Sequence, residues 1–164
     1  MITTALRGLV TLMSRKTLAR GVSQVLDTTP MQITTRAASL ADVDFLVGLL
    51  GDGHRPDALD QIQGRIENSI TYVVCVGDRP VGRLRLVRTE QHIEIAGIQI
   101  DPAWQSQGVG TAVIKQVLDE ACSTGRLVEL DVNKDNPNAE RLYARLGFRR
   151  LREDGNDYRM TTAT

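Results

Sequence analysis

Seven residues, Gln105-Ser106-Gln107-Gly108-Val109-Gly110-Thr111, join a strand-like run to a helix-like run and limit what this chain can fold into. Upstream, Ile93-Glu94-Ile95-Ala96-Gly97-Ile98-Gln99-Ile100 is rich in β-branched residues until Asp101-Pro102 stops it. Downstream, Val109, Val113, Ile114, Val117, Leu118 and Ala121 recur at helical spacing, which predicts a helix opening near Gly108. A glycine-rich turn entering a helix N-terminus offers free backbone N–H groups at the positive end of the helix dipole, and that combination binds phosphate. Glycine at 108 and 110 lets a ligand reach the main chain without meeting a Cβ. The turn points to a phosphate-bearing cofactor.

A dinucleotide fold also places glycines between strand and helix. Asp131 lies about 20 residues beyond them, where that fold keeps its ribose-binding acid. Two features oppose this reading. The fingerprint's third glycine would fall at Val113, and residues 101–107 separate the strand from Gly108, whereas the dinucleotide turn follows its strand at once. A glycine turn that only caps a helix is the third option.

The residues that follow favour a different cofactor. After a strand ending at Val132, Asn133-Lys134-Asp135-Asn136-Pro137 forms a cap-and-turn cluster with Pro137 suited to a first helical turn. A short helix from Ala139 to Leu146 is ended by Gly147, and Phe148 opens another strand. Gln105, Gly108 and Gly110 spell Q-x-x-G-x-G, and Asn136, Ala139, Tyr143, Gly147 and Phe148 follow about 25 residues later. In these two motifs, and over roughly residues 31–160, the chain resembles the GNAT superfamily of acyl-CoA-dependent N-acetyltransferases. The resemblance implies an enzyme that moves an acetyl group from acetyl-CoA, its cosubstrate, to a primary amine by direct attack in a ternary complex.

The element order expected is a strand over 32–37, a helix over 39–50 capped by Ser39 with Asp42 in its first turn, a loop over 51–56, and a helix over 57–69. Strands over 71–76 and 80–88 follow, joined by a Gly77-Asp78-Arg79 turn, then a strand over 91–100 and a helix over 108–124. A strand over 127–132, a helix over 137–146 and strands over 148–153 and 157–162 complete the chain. That order predicts a mixed α/β (α+β) fold with a mostly antiparallel central sheet. The resemblance adds that strands 91–100 and 127–132 run parallel and splay apart to admit the cofactor's pantetheine arm.

Acetyl transfer from a thioester needs a cofactor grip, a polarised carbonyl, a neutral amine and a proton for the departing thiolate. The resemblance assigns the grip to the backbone of Gln107, Gly108, Val109, Gly110 and Thr111, with Gln105 and Ser106 completing the loop and Asn136 contributing nearby. The family often has Arg or Lys at the first or third loop position. Both are Gln here, so backbone dipoles carry more of the binding than charge does. The pantetheine amides would pair with the main chain of Ile98, Gln99 and Ile100, and a backbone N–H, that of Ile98, would hold the thioester oxygen.

Glu94 is the candidate base. It is an acid in an apolar strand, and simple alternation sets it on one face with Ala96, Ile98 and Ile100. Its place eleven residues before Gln105 matches where some GNAT enzymes keep a catalytic glutamate. Apolar surroundings would raise its pKa and suit it to take a proton from an ammonium. The other reading is a structural ion pair with Arg83 or Arg85 on the neighbouring strand. Tyr143 is the candidate acid, because a phenol with an ordinary pKa of about 10 can protonate a thiolate whose acid has one of about 8.5. The other reading is a tyrosine packed in the core. Asp131, Glu129 and His92 lack motif support and read as strand-edge polar groups.

With 164 residues, 41% of them hydrophobic, the chain can bury one sizeable core. Its net charge is zero and no basic cluster with interleaved aromatics occurs, which argues against a nucleic-acid partner. No apolar run approaches the ~20 residues of a membrane span. Two isolated histidines, His54 and His92, give no metal-ligand spacing, so no metal is expected. Cys75 and Cys122 read as buried thiols of a reducing, cytoplasmic compartment. Residues 1–30 carry Arg7, Arg15, Lys16 and Arg20 against Asp27 alone; they read as an accessory extension, a leader or a miscalled start before a domain over 31–164. The resemblance places the acceptor pocket between the loop 51–56 and the closing hairpin, whose acidic turn Glu153-Asp154-Gly155-Asn156-Asp157 would attract a cationic amine. The amine's identity and a homodimer both stay open. A non-catalytic acyl-CoA-binding or sensing module on the same fold is the alternative.

Overall fold

The described residues form seven strands, those from β1 to β5 rich in β-branched side chains: β1 (Ile33–Ala37), β2 (Ser69–Val76), β3 (Arg79–Arg88), β4 (His92–Ile100), β5 (Leu127–Asn133), β6 (Phe148–Asp154) and β7 (Asp157–Thr162). The computed structural model describes residues 31–162, so the basic segment 1–30 and the expectations attached to it lie outside the described residues. All seven strands join one sheet in the order β1-β2-β3-β4-β5-β7-β6. Only β4 and β5 are parallel neighbours. This is the mixed, mostly antiparallel sheet expected, and it excludes the doubly wound parallel sheet of a dinucleotide fold.

Among the described residues four α-helices flank the sheet: α1 (Val43–Leu50), α2 (Arg55–Ile62), α3 (Val109–Thr124) and α4 (Pro137–Arg145). The apolar stripe of α3 buries Val113, Ile114 and Val117 against Leu84, Leu86, Ile93 and Ile95 of the central strands. Each such side chain contributes about 1.5–3 kcal/mol on burial. On the opposite face α1 and α2 form a smaller cluster of Val43, Val47 and Ala58. The start of this helical pair is pinned electrostatically. Asp42 accepts the backbone N–H and hydroxyl of Ser39 and two hydrogen bonds from Arg36, at 2.6 and 2.9 Å.

Two expectations need correction here. The second helix ends at Ile62 and does not reach residue 69, because Gly64 turns the chain at φ +70° and Asn68 at φ +57° before β2 begins at Ser69. Ile62 and Ile66, four residues apart, imitate one further helical turn. Cys75 is buried as expected, whereas Cys122 is exposed on α3, one position past the buried Ala121.

The pairing of β3 with β4 carries the feature that shapes the site. Leu84 pairs with Ile98 and Arg85 with Gly97, but Leu86 pairs with Ile95, which leaves Ala96 as an extra residue in β4. A bulge of this kind reverses the side-chain parity beyond it. Ile95, Ile98 and Ile100 therefore share the α3 face, while Glu94, Gly97 and Gln99 share the other. The alternation that grouped Glu94 with Ile98 and Ile100 is overturned by this one residue. Pairing of β4 with β5 also stops at Ile95 and Leu130. From Ala96 to Ile100 the β5-facing edge of β4 has no strand partner among the described residues.

Candidate active site

The phosphate-type turn is braced from within. Asp101 accepts the Ala103 N–H at 2.8 Å and caps a short 3-10 turn over Pro102–Trp104. The side-chain amides of Gln105 and Gln107 donate to the carbonyls of Ile100 and Ala103, both at 2.8 Å. Ser106 at φ +59° and Gly108 at φ +83° then reverse the chain. Helix α3 starts at Val109, so its first N–H groups, at Val109, Gly110 and Thr111, have no intrahelical partner. They open on a cleft of about 640 Å³ between β4 and α4, closed on its far side by Asn138, Leu142, Tyr143 and Arg145.

Asn136 serves α4 as its cap, accepting the Ala139 N–H at 3.1 Å. It does not line the cleft; Asn138 and Ala139, one turn on, take that place in the wall. Tyr143 is packed in the core and also faces the cleft. Its ring meets Phe148 edge-on, with centroids 5.8 Å apart. Burial pushes its phenol above the ordinary value, so it keeps its proton at neutral pH.

On the other side of β4 a second cleft, of about 620 Å³, is walled by Phe45, Gly48 and Leu49 of α1 and floored by Gln99. No described residue of the loop 51–56, expected to shape an acceptor pocket, lines this cleft; α1 does. The closing hairpin is drawn toward the β5–α4 connection instead, where Lys134 donates to Glu153 at 2.8 Å and its backbone N–H to the Asn156 carbonyl at 2.9 Å. A third, smaller cavity of about 220 Å³ occupies the gap where β4 and β5 part. Glu94, Gln99 and Asp131 line it from one face of the sheet, and Ile98, Leu130 and Tyr143 from the other.

Glu94 is ion-paired, though not to the residues expected. Its partner is Arg159 of β7, at 3.3 Å, because the sheet order sets β7 next to β5 and aims Arg159 back across it. Arg159 also binds Glu129 at 2.8 Å and Asp131 at 2.9 Å, so one guanidinium serves three carboxylates. The surroundings of Glu94 are thus charged rather than apolar. Desolvation alone would lower the pKa of Arg159, but its hydrogen bonds to Glu94 and Glu129 and the nearby negative charge raise it instead. Sequence reasoning set aside Glu129 and Asp131 and passed over Arg159, Arg145 and Trp104. Period two along β5 and β7 would have grouped the first three on one face, had the strand order been known.

Comparison with known proteins agrees with this arrangement. The Acetyltransferase (GNAT) family model matches residues 40–148, and the chain belongs to that family. N-alpha-acetyltransferase RimI of Mycobacterium tuberculosis is 37% identical over 83 residues, 50% of this chain and 51% of that protein. Thialysine N-epsilon-acetyltransferase of Sus scrofa is 41% identical over 69 residues, 40% of this chain and 39% of that protein. The chain thus spans about half or less of the length of these curated relatives. Among solved structures, the PaiA N-acetyltransferase of Thermoplasma acidophilum in complex with coenzyme A gives a TM-score of 0.68 at 16% identity. The match covers 82% of this chain and 100% of that one, a likeness of fold. No helix among the described residues is long and apolar enough to cross a membrane. No group of three or more His, Cys, Asp or Glu among them is arranged to hold a metal ion.

Proposed function

We propose that this protein transfers an acetyl group from acetyl-CoA to a primary amine by direct attack in a ternary complex. The observation that carries the proposal is the gap cavity between β4 and β5, lined by Glu94 on one face of the sheet and Tyr143 on the other. The coenzyme A bound by the PaiA neighbour and the N-acetyltransferase names of the relatives support the choice of cofactor.

In this reading the pyrophosphate sits on the first N–H groups of α3, and Arg145 at the cleft wall meets a further phosphate. The pantetheine amides pair with the free edge of β4 at Ile98, Gln99 and Ile100, as an added strand would. The thioester then lies in the gap, with the Ile98 N–H polarising its carbonyl. The amine enters from the α1 side. Glu94 takes its proton, directly or through water, with Arg159 beside it as ion-pair partner. Attack of the free amine forms the C–N bond and a tetrahedral intermediate. Its collapse breaks the C–S bond, and Tyr143 protonates the departing thiolate.

The test is CoA release by the full chain across polyamines, aminoglycosides, amino acids and peptides, repeated with two variants. Glu94→Gln should lose about 10²–10⁴-fold at moderate pH and recover in part as pH rises and the amine deprotonates unaided. Tyr143→Phe should slow turnover with acetyl-CoA affinity kept, a loss confined to the transition state. Tight acetyl-CoA binding with no CoA release from any amine would favour the non-catalytic module. An unchanged pH profile in Glu94→Gln would leave Glu94 a structural partner of Arg159.

A further inference from the structure

Arg83 stands apart from the other buried charges. It lies within β3, only 5% exposed, and its partners are two neutral amides rather than a carboxylate. Nη1 donates to Gln99 Oε1 at 2.6 Å and Nη2 to Gln61 Oε1 at 3.0 Å, while Nε is buried with no partner. Burial, together with the charge of Arg85, lowers its pKa to about 10, so it is still a cation at neutral pH. Buried charges are ordinarily paired.

A guanidinium has donors only. The atoms that Gln61 and Gln99 turn toward Arg83 are therefore their oxygens, and the NH₂ of Gln99 is turned away from it. Gln99 lines both the α1-side cleft and the gap cavity. Gly97, two residues earlier on the same face, leaves room for the guanidinium: a Cβ there would lie 3.3 Å from Nη1. At the other end of the gap cavity stand Glu94 and Asp131, two of the three carboxylates that share Arg159. The acceptor side is thus dipolar, with surplus negative charge near Glu94 and an unneutralised cation behind Gln99.

We propose that Gln99, oriented by Arg83, determines acceptor specificity by donating its side-chain N–H to an oxygen, carboxylate or carbonyl, that neighbours the acceptor's amine. Amino acids and peptide N-termini carry such an oxygen; a polyamine does not, and it would bring positive charge toward Arg83. The inference rests on the transferase reading above. Arg83 lines none of the three cavities and acts through Gln99 as a positioning residue. A site built to hydrogen-bond a substrate group rejects analogues that lack it, because its own donor is then left unpaired.

The experiment measures equilibrium binding to the CoA-bound full chain and, separately, CoA release. The ligands are matched triplets with several different side chains (an amino acid, its amide, and the amine left on removing the carboxyl group), with spermidine beside them. Members bearing the oxygen should bind at least about tenfold more tightly than the bare amines, the value of one hydrogen bond to a charged or polar partner. Gln99→Glu keeps an oxygen for Arg83 and adds its missing counter-charge, so the melting temperature should hold or rise. Its preference should fall below about threefold. Arg83→Met should lose the same preference, and Gln99→Glu decides the matter if that variant does not fold. Bare amines or spermidine bound as well as the oxygen-bearing members, no binding by any member, or a preference intact in Gln99→Glu would each overturn the proposal. Binding with the expected preference but no CoA release would uphold it while refuting the transferase reading.

Discussion

Replacing Arg159 with methionine removes one cation from among three carboxylates while keeping most of the apolar stem. Arg159 is 8% exposed and reaches Glu94, Glu129 and Asp131 at once. Glu94 and Asp131 contact the same nitrogen at 3.3 and 2.9 Å, so those two oxygens lie no more than about 6 Å apart. At that separation and an effective dielectric of about 20, two carboxylates repel by about 3 kcal/mol. Removing one partner of a fully buried pair costs about 3–5 kcal/mol. The Asp131 side chain is 48% exposed and solvent screens it, so we expect a loss of about 2–4 kcal/mol at pH 7. The pH dependence has a definite sign. Without Arg159 the three carboxylates repel one another at neutral pH, and protonation in acid relieves that repulsion. The penalty is then complete at neutral pH and fades as pH falls. Urea unfolding of both proteins at pH 7 and pH 4.5 measures it. A loss under about 1 kcal/mol at pH 7, or an equal loss at both pH values, would refute the electrostatic account.

Gly108→Val meets a φ of +83° and should lower stability by about 1–2 kcal/mol or more, whereas Gly110→Val meets only Ile100, 3.8 Å from its Cβ, and should fold normally. Both should lose the thermal protection that acetyl-CoA, and not NAD(H), gives the parent protein; a normal shift in Gly110→Val would remove the loop from the site. Asp42 gives the same sign of pH dependence from a different cause, because its hydrogen bonds from Arg36 hold its carboxyl well below the usual range. Its contribution is present above the unfolded pKa near 4 and is lost as pH falls toward the folded value, so Asp42→Asn should cost about 1 kcal/mol at pH 7 and progressively less in acid. Thermal melts at pH 7 and pH 3 decide this, and a gap independent of pH would count against it.

What the sequence made legible was local. The turn over 105–111, the stripe of α3 and the Asn136–Pro137 cap each depend on neighbours within a helical turn or two, and spacing encodes such relations directly. Gln105 and Gln107 were located correctly, but their inward hydrogen bonds were not foreseen, since they depend on how the chain folds back over residues 100–103. The side of the sheet that Glu94 occupies depends on its register with β3, which nothing in β4 alone announces. Its ion pair is further from view: Arg159 is 65 residues away and meets Glu94 only because β7 inserts between β5 and β6. Arg83 and Gln99 belong to the same class, a pair made by strand pairing and then given meaning by what packs around it.

Ala96 separates two properties that look inseparable. If that residue were deleted, Gly97 would follow Ile95 directly, and β4 would become an unbroken strand against β3. Glu94 and Gln99 would still share one face, and Ile98 the other, so every chemical group would keep its side. The bend would go, and β4 could hydrogen-bond to β5 along more of its length. The gap cavity lined by Glu94 and Tyr143 would then close. The difference between a continuous sheet and one with a working slot through it is, in this chain, a single codon.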